Sequence, residues 1–411
     1  MREILFLAHR LPFPPDRGDK IRSHHLLKQL ARIAPVHVAT FADDEADMAH
    51  EAELAGWAQS YCLVRRSKPL VMAGVQALAS GAPVSLSAFH HRALEKYVAR
   101  LVETRPIGAI YVFSGQMGQY VPRHFAGRVI ADFVDVDSAK FEAYASHGEG
   151  LRGWIDAREA RVLRSEEARL ADRANVSLLI SRQEAELFRS RLPEAIRKSA
   201  AVRVLPNGID AGNFDPAAVI AEPRMLEMPS PRLIFTGQMD YAPNIAAAQR
   251  AIERILPAIR QRFPAASFHV VGRNPPEALL KRHGSDGCFV WGGVPDMRQW
   301  LKAGSIALVP LDIARGVQNK VLEAMAMELP VVLTPGAATG IDAADGSELL
   351  VRATDEDLAE AVAMLAADPV LSARIGQAAR AFVCDKMSWQ SALSSLPQIV
   401  GLRARPESHV A

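Results

Sequence analysis

Short apolar runs recur along the whole chain, and longer stretches with an apolar residue every three or four positions separate them. The short runs predict buried parallel strands, and the spaced stretches predict amphipathic helices packed on a sheet. Strands are expected at residues 4–8, 36–41, 61–64, 109–113, 129–133, 176–180 and 202–205, and then at 233–236, 267–271, 288–291, 306–310, 331–334 and 349–351. The main helices are expected at 20–33, 138–171, 244–263 and 358–367. Strands that alternate with helices twice over predict an α/β protein with two doubly wound parallel sheets.

An irregular segment rich in proline, DAGNFDPAAVIAEPRMLEMPSPR, separates the two sets of strands. We place the domain boundary near 206–231, so that the first domain spans 1–205 and the second spans 206–386. A chain of 411 residues is too long for one hydrophobic core, which agrees with two domains of about 200 residues each.

The segment from 306 to 334, IALVPLDIARGVQNKVLEAMAMELPVVLT, predicts a strand, a loop with one glycine, a short helix and a second strand. The loop opens at the carboxyl end of a strand, which is the edge where open α/β sheets bind ligands. A helix that begins between Val317 and Asn319 would direct unpaired amide groups at a phosphate. Glu323 follows one turn later, where its carboxylate can accept hydrogen bonds from both hydroxyls of a ribose. The alternative is that Glu323 only favours the early turn by its charge, worth about 0.3–1 kcal/mol.

Composition and charge narrow the classes of protein that remain. Hydrophobic residues make up 49% of the chain and charged residues 23%, which is typical of a soluble globular protein. The net charge of +2 is too small to indicate nucleic-acid binding. Cys62, Cys288 and Cys384 lie far apart, so they predict neither a zinc site nor a disulfide framework, and this fits a reducing cytoplasm. The apolar run at the amino terminus is too short for a signal peptide and is expected to form the first strand.

One segment, residues 69–89, is mostly apolar over the roughly 20 residues that a membrane-spanning helix needs. Gly74, Gly81 and Pro83 interrupt it. We therefore expect a helix packed in the core or at a cleft, and an interfacial membrane helix is the alternative.

Several motifs agree in order and spacing with one family. VSLLISRQEAELF, VRVLPNGIDAGNFDP, LIFTGQMDYAPN, SFHVVG, VWGGVPDMRQWL and VLEAMAMELPVV resemble the GT-B glycosyltransferases of family 4. FPPDRGDKIRSHHLL and GVQNKVLEAMA resemble in particular the sugar transferases of exopolysaccharide loci associated with PEP-CTERM and exosortase. The terminal MSWQSALSSLPQIVGL resembles the family's last helix, expected here at about 387–403 and returning to the first domain. The resemblance implies a GT-B fold, with two Rossmann-like domains and an interdomain cleft.

The resemblance also implies the reaction. Such enzymes move a sugar from a UDP- or GDP-linked donor bound in the cleft, with retention at the anomeric carbon and without a metal or other cofactor. The departing diphosphate then needs preorganised hydrogen-bond donors, and losing one costs about 2.7–4 kcal/mol in related oxyanion sites. Glu323 matches the second glutamate of the family's E-x7-E pattern, which contacts the ribose. The expected diphosphate contacts are the backbone amides of Gly316, Val317, Gln318 and Asn319 and the side chain of Lys320.

The sequence departs from the family pattern at two places. Arg315 stands where the first glutamate of E-x7-E is expected, so a phosphate contact is predicted there instead of a sugar-hydroxyl contact. The donor loop GQMDYAPN, which begins at Gly237, has none of the basic residues common in the family, and Asn244 at its end is expected to cap or pack. Arg273, Lys320 and Arg315 can supply this charge, each charge-assisted bond being worth about 1.5–3 kcal/mol. The alternative for Arg273 and Arg315 is a solvated loop arginine.

In the first domain, the loop HRLPFPPDRGDKIRSHH places Gly18 just before a helix and surrounds it with basic residues. Glycine permits close backbone approach, and basic groups at a helix start suit a phosphate or an acidic acceptor. The residues expected to make this contact are Arg17, Lys20 and Arg22. A solvated basic turn is the alternative.

The sequence DFVDVD follows a strand and contains the D-x-D pattern of metal-dependent GT-A transferases. Two carboxylates alone are a poor metal cage and PNGID is foreign to that class, so no metal site is predicted. Asp135 or Asp137 is expected to orient the acceptor hydroxyl or to accept its proton. Asp137 equally suits a cap for a helix that begins at Ser138.

We therefore expect a cytoplasmic glycosyltransferase of exopolysaccharide assembly with a nucleotide-sugar donor and a lipid-linked glycan acceptor. Peripheral contact with the cytoplasmic face of the inner membrane is part of this expectation. A GT-B sugar-nucleotide epimerase would share the donor site, and Arg315 raises a nucleotide-sugar-binding pseudoenzyme as the non-enzymatic alternative. A Rossmann oxidoreductase is not expected, because no G-x-G-x-x-G follows the first strand.

Overall fold

The computed structural model describes residues 2–147, 150–312 and 316–402. These residues form two compact units: residues 2–207 together with 392–402, and Gly208–Ser391. Each unit has a parallel sheet of its own, so each is described separately.

The first unit contains a seven-stranded sheet in the order β3-β2-β1-β4-β5-β6-β7, with all pairings parallel among the described residues. Its strands are β1 (Glu3–Ala8), β2 (Val36–Ala42), β3 (Ser60–Arg65), β4 (Ile107–Phe113), β5 (Arg128–Val134), β6 (Val176–Leu179) and β7 (Val202–Val204). Its helices are α1 (Gly18–Ile33), α2 (Glu45–Met48), α3 (Glu51–Trp57), α4 (Leu70–Ser80), α5 (Val84–Ala88), α6 (Arg92–Thr104), α7 (Asp137–His147), α8 (Gly150–Arg173), α9 (Arg182–Arg191) and α10 (Glu194–Ser199), with a 3₁₀ turn at Gly115–Tyr120.

The second unit repeats this design with a six-stranded parallel sheet in the order β10-β9-β8-β11-β12-β13. Its strands are β8 (Arg232–Thr236), β9 (Ser267–Val271), β10 (Cys288–Gly292), β11 (Ile306–Val309), β12 (Val331–Leu333) and β13 (Leu350–Val351). Its helices are α11 (Pro223–Leu226), α12 (Ala242–Arg250), α13 (Leu256–Arg262), α14 (Glu277–Leu280), α15 (Met297–Ala303), α16 (Asn319–Ala326), α17 (Asp355–Ala367) and α18 (Pro369–Phe382), with a 3₁₀ turn at Pro216–Ala218 and π-helical turns at Ala251–Ile255 and Val383–Met387. After them come α19 (Trp389–Ala392) and α20 (Leu396–Val400).

The strand pattern predicted from the sequence is confirmed. Each of the thirteen predicted strands is present and begins and ends within two residues of its expected bounds. The pattern is clear because the strands are buried on both faces: every residue of β1, β2, β9 and β11 is buried. Continuous apolar runs are the signature of such strands, and two doubly wound sheets follow from them.

The helix predictions need three corrections. The single helix expected at 138–171 is two helices, α7 and α8, which pack against each other. Gly150 begins the second of these helices with a φ of 61°, a left-handed conformation that glycine adopts at little cost. The helix expected at 244–263 contains a π-helical turn just before Pro257, which cannot donate a backbone hydrogen bond. The terminal helix expected at 387–403 is divided into α19 and α20.

The end of the chain returns to the first unit. There α20 packs against α1 and β5. Arg128 Nε also donates a hydrogen bond of 2.6 Å to the Ile399 carbonyl. The last described residues therefore complete the first unit, although they follow the second in sequence.

The apolar segment 69–89 forms α4 and α5 on either side of Gly81, whose φ is 73°. None of the described helices is both long enough and apolar enough to span a bilayer. Ala73 and Ala77 of α4 are buried, whereas Val71 and Val75 are exposed. The expectation that this helix packs in the core or at a cleft therefore holds for one face of α4 only, because the opposite apolar face meets solvent.

Candidate functional site

The carboxyl edge of the second sheet contains a point where the strand order changes direction. β8 pairs with β9 on one side and with β11 on the other. The loops that follow β8 and β11 therefore leave the sheet next to each other and in opposite senses, which is where open α/β sheets bind ligands. The first loop begins at Gly237, and the second leads into α16.

Glycines let the loops of this edge approach one another closely. Gly237 N–H donates to the Val271 carbonyl at 3.1 Å, and Gly272 N–H donates to the Gly292 carbonyl at 2.8 Å. A Cβ on Gly272 would lie 1.6 Å from the Gly237 carbonyl oxygen, so no side chain fits at position 272. The sequence alone predicted a role for Gly237 but gave no reason to select Gly272, because the contact joins two different loops.

We expect Gly272→Ala to destabilise the second unit by about 1–3 kcal/mol, because the added methyl group forces the β8 and β9 loops apart. Gly212→Ala is the matched control, since a Cβ there would meet only Asp210 Oδ1, at 3.6 Å. Urea unfolding of both variants measures the difference. Equal unfolding midpoints for the two variants would show that the loops do not depend on this close contact.

Lys320 lies at the start of α16 and faces these loops. Its Nζ donates to Asn244 Oδ1 at 2.5 Å and lies 4.6 Å from the centroid of the Phe235 ring. Asn244 Nδ2 in turn donates to the Gln238 carbonyl at 2.8 Å, so the amide fixes both the donor loop and the ammonium group. Burial lowers the pKa of Lys320 to about 8. Within the described residues its Nζ forms no salt bridge with a carboxylate, which leaves a partly buried cation available to an anion.

Glu323 follows Lys320 by three residues and therefore lies on the same side of α16. Its carboxylate has no hydrogen-bond or salt-bridge partner among the described residues. Burial raises the pKa of Glu323, and the charge of Lys320 partly offsets this effect. Glu323 is partly buried, and a partly buried carboxylate without a hydrogen-bond partner is disfavoured in the free protein, so this group is positioned for hydrogen-bond donors other than the described residues.

The amino end of α16 has unpaired backbone donors, as the sequence predicted. The first hydrogen bond of the helix joins Val321 N–H to the Gln318 carbonyl at 3.0 Å. The amides of Asn319 and Lys320 therefore have no backbone acceptor within the described part of the chain. Gly316 has a φ of 67°, which favours glycine, and its carbonyl accepts a hydrogen bond of 3.1 Å from Gln318 Nε2.

The remaining residues predicted for this edge differ in how they are placed. Val317 is partly exposed and packs against Gly340, where a Cβ would lie 2.9 Å from Val317 Cγ2. Arg273 is exposed on the loop after β9, and its carbonyl accepts a hydrogen bond of 2.8 Å from Met239 N–H. Arg315 lies outside the described residues, so its predicted phosphate contact remains a prediction.

The basic residues predicted for the first domain are placed differently from expectation. Lys20 is buried, with its Nζ 2.5 Å from Asp47 Oδ1, and Arg22 is buried against Asp132, with Nη2 2.9 Å from Oδ2. The structure thus corrects the prediction that these two side chains contact a phosphate or an acidic acceptor, because each already neutralises an internal carboxylate. Neither is available to a ligand without breaking a buried ion pair, which is strongly unfavourable.

Arg22 has a structural role that the sequence did not indicate. Its guanidinium also donates to the Leu205 carbonyl at 3.0 Å and to Asn207 Oδ1 at 2.8 Å. Tyr111 O–H donates to the same Asp132 at 2.7 Å. Arg22 therefore fixes the end of the first unit's main segment to the core of its sheet.

Arg17 and Gly18 remain at the surface of the first unit. Arg17 is partly exposed and pairs with Asp43 at 2.6 Å and with Asp19 at 3.3 Å. A Cβ on Gly18 would meet no protein atom within 4 Å, so the fold does not itself require glycine there. The open space at the start of α1 is compatible with the predicted contact to a ligand.

His9, directly after β1, is a candidate that the sequence reasoning missed. Its Nε2 lies 3.2 Å from Asp19 Oδ2, and its Nδ1 is buried without a hydrogen-bond partner. Burial alone would raise the pKa of Asp19, but hydrogen bonds from His9 and Arg10 hold this pKa far below its usual value. The available signal was the position of His9 at the carboxyl end of a strand, beside the point where the strand order reverses.

Asp135 and Asp137 lie at the end of β5 and at the start of α7. Both pair with Lys140, whose Nζ lies 2.9 Å from Asp135 and 3.2 Å from Asp137. Both carboxylates are partly exposed, so a ligand can still reach them. Nearby, Glu167 accepts hydrogen bonds from Ser138 N–H at 2.9 Å and Ser138 O–H at 2.6 Å, and burial raises the pKa of Glu167 to about 7.

A separate cavity in the second unit lies at the wrong edge for this chemistry. It has a volume of about 380 Å³ and is lined by residues at the amino ends of strands, including Pro231, Ser305 and Pro330. The unpaired charges of Lys320 and Glu323 lie beyond the opposite ends of the strands. No group of three or more acidic, His or Cys side chains placed to hold a metal ion occurs in the part of the chain that the structure describes.

Part of the sequence matches a known family model, described as glycosyl transferases group 1, over residues 230–368. The GDP-mannose-dependent alpha-(1-6)-phosphatidylinositol monomannoside mannosyltransferase of Mycolicibacterium smegmatis is 28% identical over 277 residues, which cover 63% of this chain and 69% of that protein. The corresponding monoacylated-substrate enzyme of Corynebacterium glutamicum is 30% identical over 209 residues, covering 45% of this chain and 52% of its own length. These matches support a glycosyltransferase.

Solved structures extend the likeness to nearly the whole chain. The sucrose-phosphate synthase of Thermosynechococcus elongatus superposes with a TM-score of 0.59 at 16% identity and covers 97% of this chain and 98% of its own. Anabaena HepE in complex with UDP and glucose also has a TM-score of 0.59, at 14% identity, and covers 98% of this chain and 100% of its own. At such identities the likeness shows the fold, and the predicted GT-B fold class with two Rossmann-like domains is confirmed.

Proposed function

We propose that the protein transfers a sugar from a nucleotide-diphosphate sugar to a lipid-linked saccharide acceptor, and that the carboxyl edge of the second sheet binds the donor. The observation that carries this proposal is the pair of unsatisfied charges on α16. Among the described residues, Glu323 is a partly buried carboxylate with no hydrogen-bond or salt-bridge partner, and Lys320 is a partly buried ammonium with no carboxylate within salt-bridge distance. A nucleotide sugar offers what each group lacks, because it presents a hydroxyl pair and a diphosphate on one molecule.

In this proposal each part of the edge binds one part of the donor. The ribose hydroxyls donate to Glu323, and the diphosphate accepts hydrogen bonds from Lys320 and from the amides at the start of α16. Arg273 and Arg315 contribute further positive charge. The donor base is guanine or uracil. The curated relatives are named for GDP-mannose and HepE was solved with UDP, which supports these two bases as the first to test.

The proposed reaction proceeds with retention and without a metal ion or other cofactor. The bond between the anomeric carbon and the phosphate oxygen breaks, and a bond to the acceptor oxygen forms on the same face. The acceptor proton passes to an oxygen of the departing phosphate. The charge of the leaving group is then stabilised by Lys320 and by preorganised amides, which is usually the largest contribution to such catalysis.

The acceptor side is assigned to the first unit. Asp135 and Asp137 orient the acceptor hydroxyl, and Arg17 contacts an acidic group of the acceptor. The names of the two mannosyltransferases, whose substrate is a phosphatidylinositol monomannoside, support a lipid-linked acceptor. We assign the product to exopolysaccharide assembly, with the enzyme in peripheral contact with the membrane, on the resemblance of the FPPDRGDK and GVQNKVLEAMA motifs to that branch.

The proposal is tested by binding and then by transfer. Titration calorimetry with UDP, GDP and dTDP should show one nucleotide bound without added metal, and a ligand at 100 times its Kd should stabilise the protein by about 2.7 kcal/mol in a thermal shift experiment. The matching labelled nucleotide sugar is then incubated with membrane lipid extract, and label in the lipid fraction is the expected result.

Two outcomes of the transfer experiment would replace the proposal by another function. Conversion of the labelled sugar to its epimer, with or without lipid, would identify a sugar-nucleotide epimerase. Nucleotide binding with neither transfer nor hydrolysis above background would identify a nucleotide-sugar-binding pseudoenzyme. Failure of all three nucleotides to bind would contradict the assignment of the site.

A further inference from the structure

Helix α4 presents an unusual amount of apolar surface to solvent. Val71, Met72, Val75 and Leu78 are between 57% and 80% exposed. Their spacing places them along one side of the helix. α4 contains no charged residue at either end, and its opposite side is buried through Ala73 and Ala77. Scattered exposed apolar residues are normal, but four large ones on one helix form a contiguous patch.

The position of α4 is fixed by α8. Arg158 Nη2 donates to the Ala77 carbonyl at 2.9 Å and to the Ala82 carbonyl at 3.2 Å, so it satisfies carbonyls at the end of α4. Glu159 accepts hydrogen bonds from Val84 N–H at 2.9 Å and Ser85 N–H at 3.2 Å, and so satisfies amides at the start of α5. The exposed apolar side of α4 is thus held in one orientation by the rest of the unit.

The same contact extends the patch onto α8. Trp154 and Ile155 each lie one turn before a residue of α8 that contacts the α4–α5 region, Arg158 and Glu159, and both are exposed. Tryptophan is amphipathic and is enriched where an apolar phase meets water. We call the six residues together the α4 surface: Val71, Met72, Val75, Leu78, Trp154 and Ile155.

The sequence that flanks α4 carries charges of one sign. Residues 54–94 contain no aspartate or glutamate, while Arg65, Arg66 and Lys68 precede the helix and Arg92 follows it. Arg65 and Arg66 pair with carboxylates of the preceding segment, at 2.6 Å and 3.1 Å. Lys68 and Arg92 form no salt bridge within the described residues. The nearest acidic groups on α8 are Asp156 and Glu159, and Glu159 is buried and bonded to the amides of α5. An apolar helix whose own flanking sequence is basic is complementary to an anionic bilayer.

We propose that the α4 surface inserts its apolar side chains into the interfacial region of a bilayer that contains anionic lipids. This inference deepens the proposed function, since a lipid-linked acceptor lies in a bilayer, but bilayer binding does not depend on transfer. It also revises the sequence-based preference for a core or cleft helix in favour of the interfacial alternative. A protein partner is the competing occupant, and it is one of the outcomes of the test.

The test compares two matched double variants. Val71→Glu with Leu78→Glu places charges on the α4 surface, and Val370→Glu with Ile220→Glu places them at equally exposed apolar positions of the second unit. The intact protein and both variants are sedimented with vesicles of phosphatidylglycerol and phosphatidylcholine, and with vesicles of phosphatidylcholine alone. We expect the α4 variant to lose at least tenfold in vesicle affinity and the control to match the parent protein. The protein should bind the anionic vesicles more tightly than the phosphatidylcholine vesicles, and added salt should weaken this binding.

A second measurement locates the contact. Brominated phosphatidylcholine in the vesicles should quench part of the tryptophan fluorescence, and Trp154→Phe should remove that quenching. Circular dichroism and thermal unfolding of the α4 variant check that it is folded, and nucleotide titration checks that donor binding is unchanged. Absence of vesicle binding by the parent protein, equal binding by both double variants, or quenching that survives Trp154→Phe would overturn the inference and leave a protein partner as the occupant. Absence of nucleotide binding by the parent protein would contradict the proposed function but not this inference.

Discussion

Lys320→Met is expected to reduce the transfer rate by about 10²–10³-fold while the protein stays folded. Methionine retains most of the side-chain volume but removes the ammonium group that faces the donor loop. In the proposed metal-free reaction, this cation is the main side-chain charge among the described residues of the edge that can neutralise a departing diphosphate. The loss should appear mainly in kcat, because the negative charge on the leaving group grows as the glycosidic bond breaks.

The pH dependence gives an independent test of Lys320. Because burial lowers its pKa to about 8, the ammonium form decreases as the pH rises through that value. The affinity for the nucleoside diphosphate should therefore decrease above about pH 8, and Lys320→Arg should remove this decrease. The sign for stability is the opposite: the free protein should gain stability between about pH 8 and the ordinary lysine value of 10.5, because the unfolded chain holds the proton more tightly.

Lys281→Met is the matched control for Lys320. Lys281 belongs to the same unit, but it is exposed and paired with Glu277 at 2.9 Å. Its replacement should change neither kcat nor the pH profile. A Lys320→Met enzyme with the parental kcat would exclude this ammonium group from leaving-group stabilisation, and the diphosphate would then have to bind elsewhere.

Glu323→Gln is expected to weaken nucleotide binding by about 1–3 kcal/mol, which is roughly a 5- to 150-fold increase in Kd. The amide keeps the shape of the side chain but has one acceptor oxygen where two are needed for a hydroxyl pair. The same substitution should stabilise the free protein, because it removes a partly buried carboxylate that has no hydrogen-bond partner among the described residues. Calorimetry with the nucleotide and thermal unfolding without it measure the two effects.

The opposite signs of these effects distinguish a ligand contact from a structural role. If Glu323 had a structural role, its replacement would lower the stability of the protein. If Glu323 binds the ligand, its replacement raises the stability of the protein and lowers its affinity for the nucleotide. Glu360→Gln, at an exposed position of α17 in the same unit, should change neither quantity. Reduced stability together with unchanged nucleotide affinity in Glu323→Gln would contradict the assignment.

Much of the fold was predictable because the signal is local. Strands buried on both faces must be continuous apolar runs, so each run in the sequence marked a strand. The start of α16 was also predictable, because it lies between Gly316 in the preceding loop and the apolar face formed by residues from Val321 to Ala326. The boundary between α7 and α8 was not found, because amphipathic spacing continues on both sides of it and only two glycines, Gly148 and Gly150, interrupt the pattern.

Charge pairing was the least predictable property of the chain. Lys20 and Arg22 looked like ligand contacts because they stand at a helix start beside a glycine. Their partners are far away in sequence: Asp47 follows Lys20 by 27 residues, and Asp132 follows Arg22 by 110. No local pattern links such residues, so the sequence did not indicate that both charges are neutralised inside the first unit.

The sequence by itself determined two doubly wound sheets, the edge of the second one at which a ligand is predicted to bind, and the candidates Lys320 and Glu323. Only the tertiary structure decided which charged groups remain without partners, that Gly272 has no space for a side chain, and that one side of α4 faces solvent. The physical reason is that secondary structure follows the periodicity of neighbouring residues, whereas pairing, close contact and exposure depend on which distant strands and loops are brought together.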